Sequence, residues 1–200
     1  WQFFQTLEEC AGMNSDAVFQ IFRNTKALLS GHFELRSGLH SDQYFQCAIV
    51  LQYPRTAERL CAALAGEWVK RGTRVDAVIS PAMGGLVIGQ ELGRALDKRA
   101  IFAEKQDNKL VLRRFAIGPG ERYIVAEDVM TRGGRVQETI DIVRAHGGVV
   151  DAVCVLVDRS GGKVKFDVPV VSLLQWEPVT WQPAECPLCK KGVPVTHPGS

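Results

Sequence analysis

The run Tyr123-Ile124-Val125-Ala126-Glu127-Asp128-Val129-Met130-Thr131-Arg132-Gly133-Gly134-Arg135 decides how this chain is read. Four consecutive apolar residues make a strand buried on both faces, and two adjacent carboxylates stand at its end. A hydroxyl residue and two glycines follow, and then a helical stripe of Val136, Ile140 and Val143. Glycines let the backbone turn several N–H groups toward one point, where the start of a helix adds partial positive charge. Such a turn cradles a phosphate monoester, with Thr131 as a hydroxyl donor. Glu127 and Asp128 would repel the phosphate itself. They are placed instead to accept hydrogen bonds from hydroxyls on the molecule that carries it, which points to a sugar phosphate of the ribose 5-phosphate type. Taken alone, the segment also fits a plain strand–turn–helix unit with solvated carboxylates.

The same alternation extends in both directions. Val75 to Ser80 reads as an apolar strand that ends in Pro81-Ala82-Met83-Gly84-Gly85, followed by a helix from about Leu86 to Leu96. Ala100 to Glu104 and Leu110 to Arg114 read as strands around a polar tip, Gln106-Asp107-Asn108. Gly147-Gly148 ends the helix of the central unit, and Val149 to Val157 and Val170 to Leu174 are the closing strands. Upstream, Pro54 to Arg71 carries Leu60, Leu64 and Trp68 at helical spacing, with proline near its start and Gly72 just past its end. Asn14-Ser15-Asp16 offers an N-cap for a helix reaching Gly31 with Phe19, Phe22 and Leu29 on one stripe. Strands alternating with helices predict an α/β fold with a parallel sheet covered on both faces, and ligands at the carboxyl ends of its strands. The expected organisation is one domain over 1–200: an N-terminal segment over about 1–50, an α/β core over 54–175 and an irregular surface tail over 176–200.

Composition narrows the partners. With 46% apolar residues in 200 the chain can bury a sizeable core, and a net charge of +2 with mixed signs gives no global field for nucleic acid. No apolar run approaches membrane length, and Trp1-Gln2-Phe3-Phe4 does not begin a signal peptide. Six scattered cysteines (Cys10, Cys47, Cys61, Cys154, Cys186 and Cys189) read as buried thiols rather than a disulfide framework, which places the chain in the cytoplasm. Cys186-Pro187-Leu188-Cys189 lacks a second such pair or a close histidine pair, with His197 a lone further candidate, so these thiols are expected to hold no metal.

Two further segments bear on the ligand. Phe33-Glu34-Leu35-Arg36-Ser37-Gly38-Leu39-His40-Ser41-Asp42-Gln43-Tyr44 is a turn between extended flanks, and Val157-Asp158-Arg159-Ser160-Gly161-Gly162 brings an arginine to another strand end. Read singly, they are a surface hairpin and a solvated arginine. In order along about residues 30 to 165, these motifs together resemble the type I phosphoribosyltransferases, and within them the orotate branch. The resemblance implies a Rossmann-like parallel-sheet core with a small N-terminal hood. It also implies transfer of ribose 5-phosphate from phosphoribosyl pyrophosphate to orotate with Mg²⁺, in a homodimer with shared active sites.

Residue by residue, the resemblance assigns Glu127 and Asp128 to the ribose hydroxyls, and Thr131, Arg132, Gly133, Gly134 and Arg135 to the 5′-phosphate, with Val129 and Met130 between them also substrate-binding. Met83 and Gly84 fall in the pyrophosphate loop, and Arg36 contacts the donor. Tyr44 and Phe45 wall the base, Arg159 takes the orotate carboxylate, and Lys105 reaches the pyrophosphate from a mobile loop. Lys105 and Asp128 are the expected catalytic residues. The sequence departs from the family pattern at Glu104, where arginine usually precedes the lysine, in lacking the loop histidine, and at Gly84, where lysine is common. Transfer to another base, or a non-catalytic sensor of phosphoribosyl pyrophosphate, are the alternative readings.

Overall fold

The computed structural model describes residues 13–35, 37–71 and 74–197. At its centre a six-stranded sheet has the order β5-β4-β3-β6-β7-β8. Its strands are β3 (Ala77–Pro81), β4 (Arg99–Gln106), β5 (Lys109–Val111), β6 (Arg122–Met130), β7 (Val149–Asp158) and β8 (Val170–Gln175). All neighbours run parallel except β5, which folds back antiparallel on β4. The sheet is therefore the predicted α/β type.

Side-chain alternation along β6 shows why both faces must be covered. Ile124 and Ala126 join one apolar cluster, with Leu60 and Leu64 of α3 (Pro54–Val69) and Ile88 and Leu92 of α4 (Gly85–Leu96). Tyr123 and Val125 join the other, with Val136, Ile140 and Val143 of α5 (Gly134–Ala145). Each fully buried aliphatic side chain contributes about 1.5–3 kcal/mol, so the two stripes hold the helices to their faces.

Strand order creates the site. From β3 the chain moves outward to β4 on one side, and then returns to place β6 on the other side of β3. The connections leaving β3 and β6 thus diverge at their carboxyl ends, and a crevice opens between them. Both glycine-containing turns, 81–84 and 131–133, lie at that crevice.

A second, antiparallel sheet of order β1-β2-β9 forms the hood, from β1 (Leu28–Glu34), β2 (His40–Phe45) and β9 (Thr180–Trp181). Here the structure departs from expectation in two places. Helix α1 (Ser15–Asn24) starts as predicted, with Asn14 Oδ1 accepting from the Ala17 N–H at 2.8 Å, but it stops well before Gly31. Lys26 takes a left-handed conformation (φ 58°), and Leu29 pairs with Tyr44 in β1–β2. That strand pairing outweighs the local helical spacing.

The tail is likewise not irregular. It contributes β9 to the hood, and then a 3-10 turn (Pro183–Glu185) and a short helix, α6 (Pro187–Lys190). The Thr196 N–H donates to the His32 carbonyl at 2.8 Å, and the Glu34 N–H donates to the Thr196 carbonyl at 3.0 Å. A short helix α2 (Cys47–Leu51) links hood and core.

Candidate active site

A cavity of about 1170 Å³ occupies the crevice between the two loops and the hood. Its lining includes every residue from Glu127 to Arg135, together with Met83, Gly84, Tyr44, Phe45 and Arg159. Sequence reasoning proposed all of these. Lys105 is not among the lining residues: it stands exposed on β4, paired across to Leu110. Arg36 lies outside the described residues.

β6 runs on through Met130, so Glu127 and Asp128 both lie within the strand rather than beyond it. Glu127 is almost buried. Asp128 Oδ1 accepts from the Val129 N–H at 2.8 Å, while the Asp128 N–H donates to Glu127 Oε1 at 3.3 Å. Burial first, and then the charge of Asp128, push the Glu127 carboxyl above the ordinary range, and burial raises Asp128 as well. Two desolvated acids sharing one wall favour a ligand that brings hydroxyl donors or a cation. Across the crevice, a Cβ added at Gly84 would lie 3.3 Å from Asp128 Oδ1. A glycine there leaves that carboxylate open to the cavity.

The shape of the 131–135 turn is set by Gly133. Its φ of 74° lies in the left-handed region, and an added Cβ would fall 2.7 Å from Val164 Cγ1 and 2.9 Å from Phe166 Cζ. No side chain caps α5, and Gly133, Gly134 and Arg135 at its start line the cavity. Thr131 and Arg132 are exposed beside them, and Arg135 is held by Glu138 at 3.2 Å.

Arg159 also lines the cavity. Its backbone N–H donates to the Met130 carbonyl at 2.8 Å, which ties the end of β7 to the end of β6. The guanidinium lies 5.9 Å from the Tyr44 ring centroid and 5.7 Å from that of Trp176. Trp176 packs edge-on against Phe45 at 4.6 Å. Arg159 Nε is buried with no hydrogen-bond partner, and burial lowers the arginine's affinity for its proton. A desolvated guanidinium with an unused donor, flanked by rings, suits a flat anion.

Trp176 and Glu138 were missed in the sequence. Trp176 directly follows β8, so the rule that ligands gather at strand ends would have flagged it. Glu138, which also accepts from the Leu110 N–H at 2.5 Å, sits on a helix face with no such marker.

The phosphoribosyl transferase domain matches residues 51–188. Over 94% of the chain it is 52% identical to the orotate phosphoribosyltransferase of Heliobacterium modesticaldum, covering 99% of that protein. The chain belongs to the phosphoribosyltransferase family. The orotate phosphoribosyltransferase of Caldicellulosiruptor bescii is 50% identical, with 94% of this chain and 98% of that one covered. Among solved structures, the crystal structure of orotate phosphoribosyltransferase from Aeropyrum pernix superposes with a TM-score of 0.61 at 27% identity, over 79% of this chain and 93% of its own. Both crevice loops and Arg159 lie inside the matched family domain, whereas the β1–β2 hairpin precedes it.

Proposed function

We propose that this phosphoribosyltransferase transfers the 5-phosphoribosyl group of phosphoribosyl pyrophosphate to N1 of orotate, giving orotidine 5′-phosphate and pyrophosphate for pyrimidine biosynthesis. The observation that carries the choice of base is Arg159. An unpartnered, ring-flanked guanidinium in the cavity wall answers the carboxylate that distinguishes orotate from the neutral bases.

The remaining roles follow from position. Amides of the 131–135 turn and the Thr131 hydroxyl hold the 5′-phosphate, with Arg132 adding positive charge beside them. Glu127 and Asp128 accept from the ribose hydroxyls and stabilise positive charge that develops at the ribose C1 as the bond to pyrophosphate breaks. Tyr44 and Phe45 wall the base, and the Met83–Gly84 turn faces the pyrophosphate. The Glu127–Asp128 oxygens are also the hard donor set that fits Mg²⁺. When bound with the donor, that ion neutralises charge growing on the leaving pyrophosphate.

Lys105 supports a reading at the level of assembly. It is exposed on the β4–β5 hairpin, whose tip residues Asp107 and Asn108 both have positive φ. We place it in the partner's site of a two-fold homodimer, where each subunit offers the same patch to the other. Five free thiols among the described residues support a reducing, cytoplasmic setting.

The test is turnover by absorbance with orotate, uracil, adenine and hypoxanthine in parallel, with and without Mg²⁺. Orotate alone should be consumed, and only with both donor and Mg²⁺. Comparable turnover of a neutral base would overturn the orotate assignment, and no turnover with any base would favour a sensor of the donor.

A further inference from the structure

The hood joins two histidines to two cysteines from the far end of the chain. His32 lies on β1, His40 on β2, and Cys186 and Cys189 flank the start and body of α6. One ligand-type atom from each of the four lies within 4.8 Å of all the others. His32 Nε2 is 2.8 Å from His40 Nδ1 and 3.4 Å from Cys186 Sγ. Cys189 Sγ is 3.3 Å from His40 Nδ1 and 3.7 Å from His32 Nε2. We propose that these four side chains bind one Zn²⁺ tetrahedrally and so fasten the C-terminal tail to the hood.

Geometry supports zinc. With Zn–N of about 2.0–2.1 Å and Zn–S of about 2.3 Å, the edges of a tetrahedron are about 3.3 Å between nitrogens and 3.6 Å from nitrogen to sulfur. Three of the four nitrogen–sulfur separations already lie close to this edge, and the two imidazoles need to part by about half an ångström. The outer shell is also in place. His32 Nδ1 lies 2.7 Å from the Val193 carbonyl oxygen, which can only accept. Nδ1 therefore carries the proton, and the lone pair of Nε2 is directed at the cluster.

Burial argues the same way. Cys186 is fully buried, His32 is 2% exposed and His40 6%, while Cys189 closes the cluster from its exposed side. On binding, two thiols lose their protons to solvent, and two thiolates with Zn²⁺ make a neutral unit that such a setting tolerates. Four protein ligands leave no open position, so the ion is structural rather than catalytic. A Cys186–Cys189 disulfide would leave two buried imidazoles facing each other for no stated purpose.

The expected absence of a close histidine pair rested on sequence spacing, but antiparallel pairing of β1 with β2 supplies one. His197, the lone candidate in the sequence, instead lies 3.8 Å from Glu34. Three of the four ligands fall outside the 51–188 domain match, so the site belongs to the hood and tail rather than to the shared core. Its effect reaches the cavity, because Glu177, Pro178 and Thr180 of the strapped segment are among its lining residues.

Metal content is the deciding measurement and needs no catalytic assay. The full chain, purified without chelator from zinc-supplemented cells, should carry close to one zinc per chain by plasma mass spectrometry. Cys186→Ser, Cys189→Ser and His40→Asn should lower that to near zero, while His197→Gln keeps it. Because a ligand variant can fail to fold, the wild-type chain is also stripped and refilled with CoCl₂. The thiolate-to-cobalt absorption and strong visible bands of a tetrahedral site are expected. A folded wild-type chain that carries no zinc and gives only the weak bands of octahedral cobalt would overturn the proposal. So would a Cys186–Cys189 disulfide in the peptide map of the unreduced protein.

Discussion

Replacing Arg159 by alanine separates binding of the base from everything else the site does. The guanidinium sits between Tyr44 and Trp176 with Nε buried and unpartnered. A carboxylate reached by such a fork gains hydrogen bonds worth about 1.5–3 kcal/mol each. Taking about 3 kcal/mol for the pair, and about 1.4 kcal/mol per factor of ten, kcat/KM for orotate should fall roughly 100-fold. The loss should appear mainly as a higher KM for orotate, with KM for the donor unchanged. Stability should move little. The substitution removes ring contacts of about 0.5–2 kcal/mol, but also a buried unsatisfied donor that costs about 1–3 kcal/mol. The melting midpoint is therefore expected within roughly 5 °C of wild type. Arg159→Lys, a point charge without the fork, should recover part of the loss. Initial rates at varied orotate, with a thermal melt on the same samples, read both effects. A folded Arg159→Ala chain with the wild-type KM for orotate would refute the reasoning. So would an equal loss in any slow transfer to uracil, since uracil has no carboxylate to miss.

Asp128→Asn keeps the volume and removes the charge beside the ribose. Turnover should fall roughly ten- to a thousandfold in a folded chain, and undiminished kcat would remove Asp128 from the reaction. Lys105→Ala should be inactive alone, yet mixing it with Asp128→Asn under subunit exchange should restore about a quarter of wild-type activity, since half the dimers are mixed and each has one intact composite site. No recovery from an inactive Lys105→Ala would confine that lysine to its own subunit. Acid stability has a separate origin in Glu121, which accepts from Arg99, Tyr123 and the Gly118 N–H. Hydrogen bonding from Arg99, first among these causes, lowers its carboxyl from the ordinary 4.5 to about 2. A depressed folded value stabilises above the unfolded one and is lost as pH falls, so the melting midpoint should drop between about pH 4.5 and pH 2. Glu121→Gln should flatten that drop, and an unchanged profile would show that other carboxylates control it.

The sequence by itself determined the core, because its signals are local. A β-branched run, two acids and a Gly133-Gly134 turn lie within thirteen consecutive residues, and strand, turn and helix follow from backbone sterics and apolar periodicity. The same holds for the 75–85 unit, whereas a lone arginine after a strand reads as solvated, and Arg159 entered the expected site only through the resemblance to the orotate branch. What only the tertiary structure decided depends on pairing between distant segments. Whether Leu29 is helical or extended is settled by β2, not by its own neighbours. That Trp176 brackets Arg159 requires β8 beside β7, and that β3 adjoins both β4 and β6 requires the strand order. The tail carries apolar and polar residues without period, so nothing local tells that it straps the hood. His32 and Cys186 are 154 positions apart and meet only because β9 pairs with β2 and Thr196 bridges to Phe33. Periodicity encodes which face a residue buries, but not which distant residue waits on the other side.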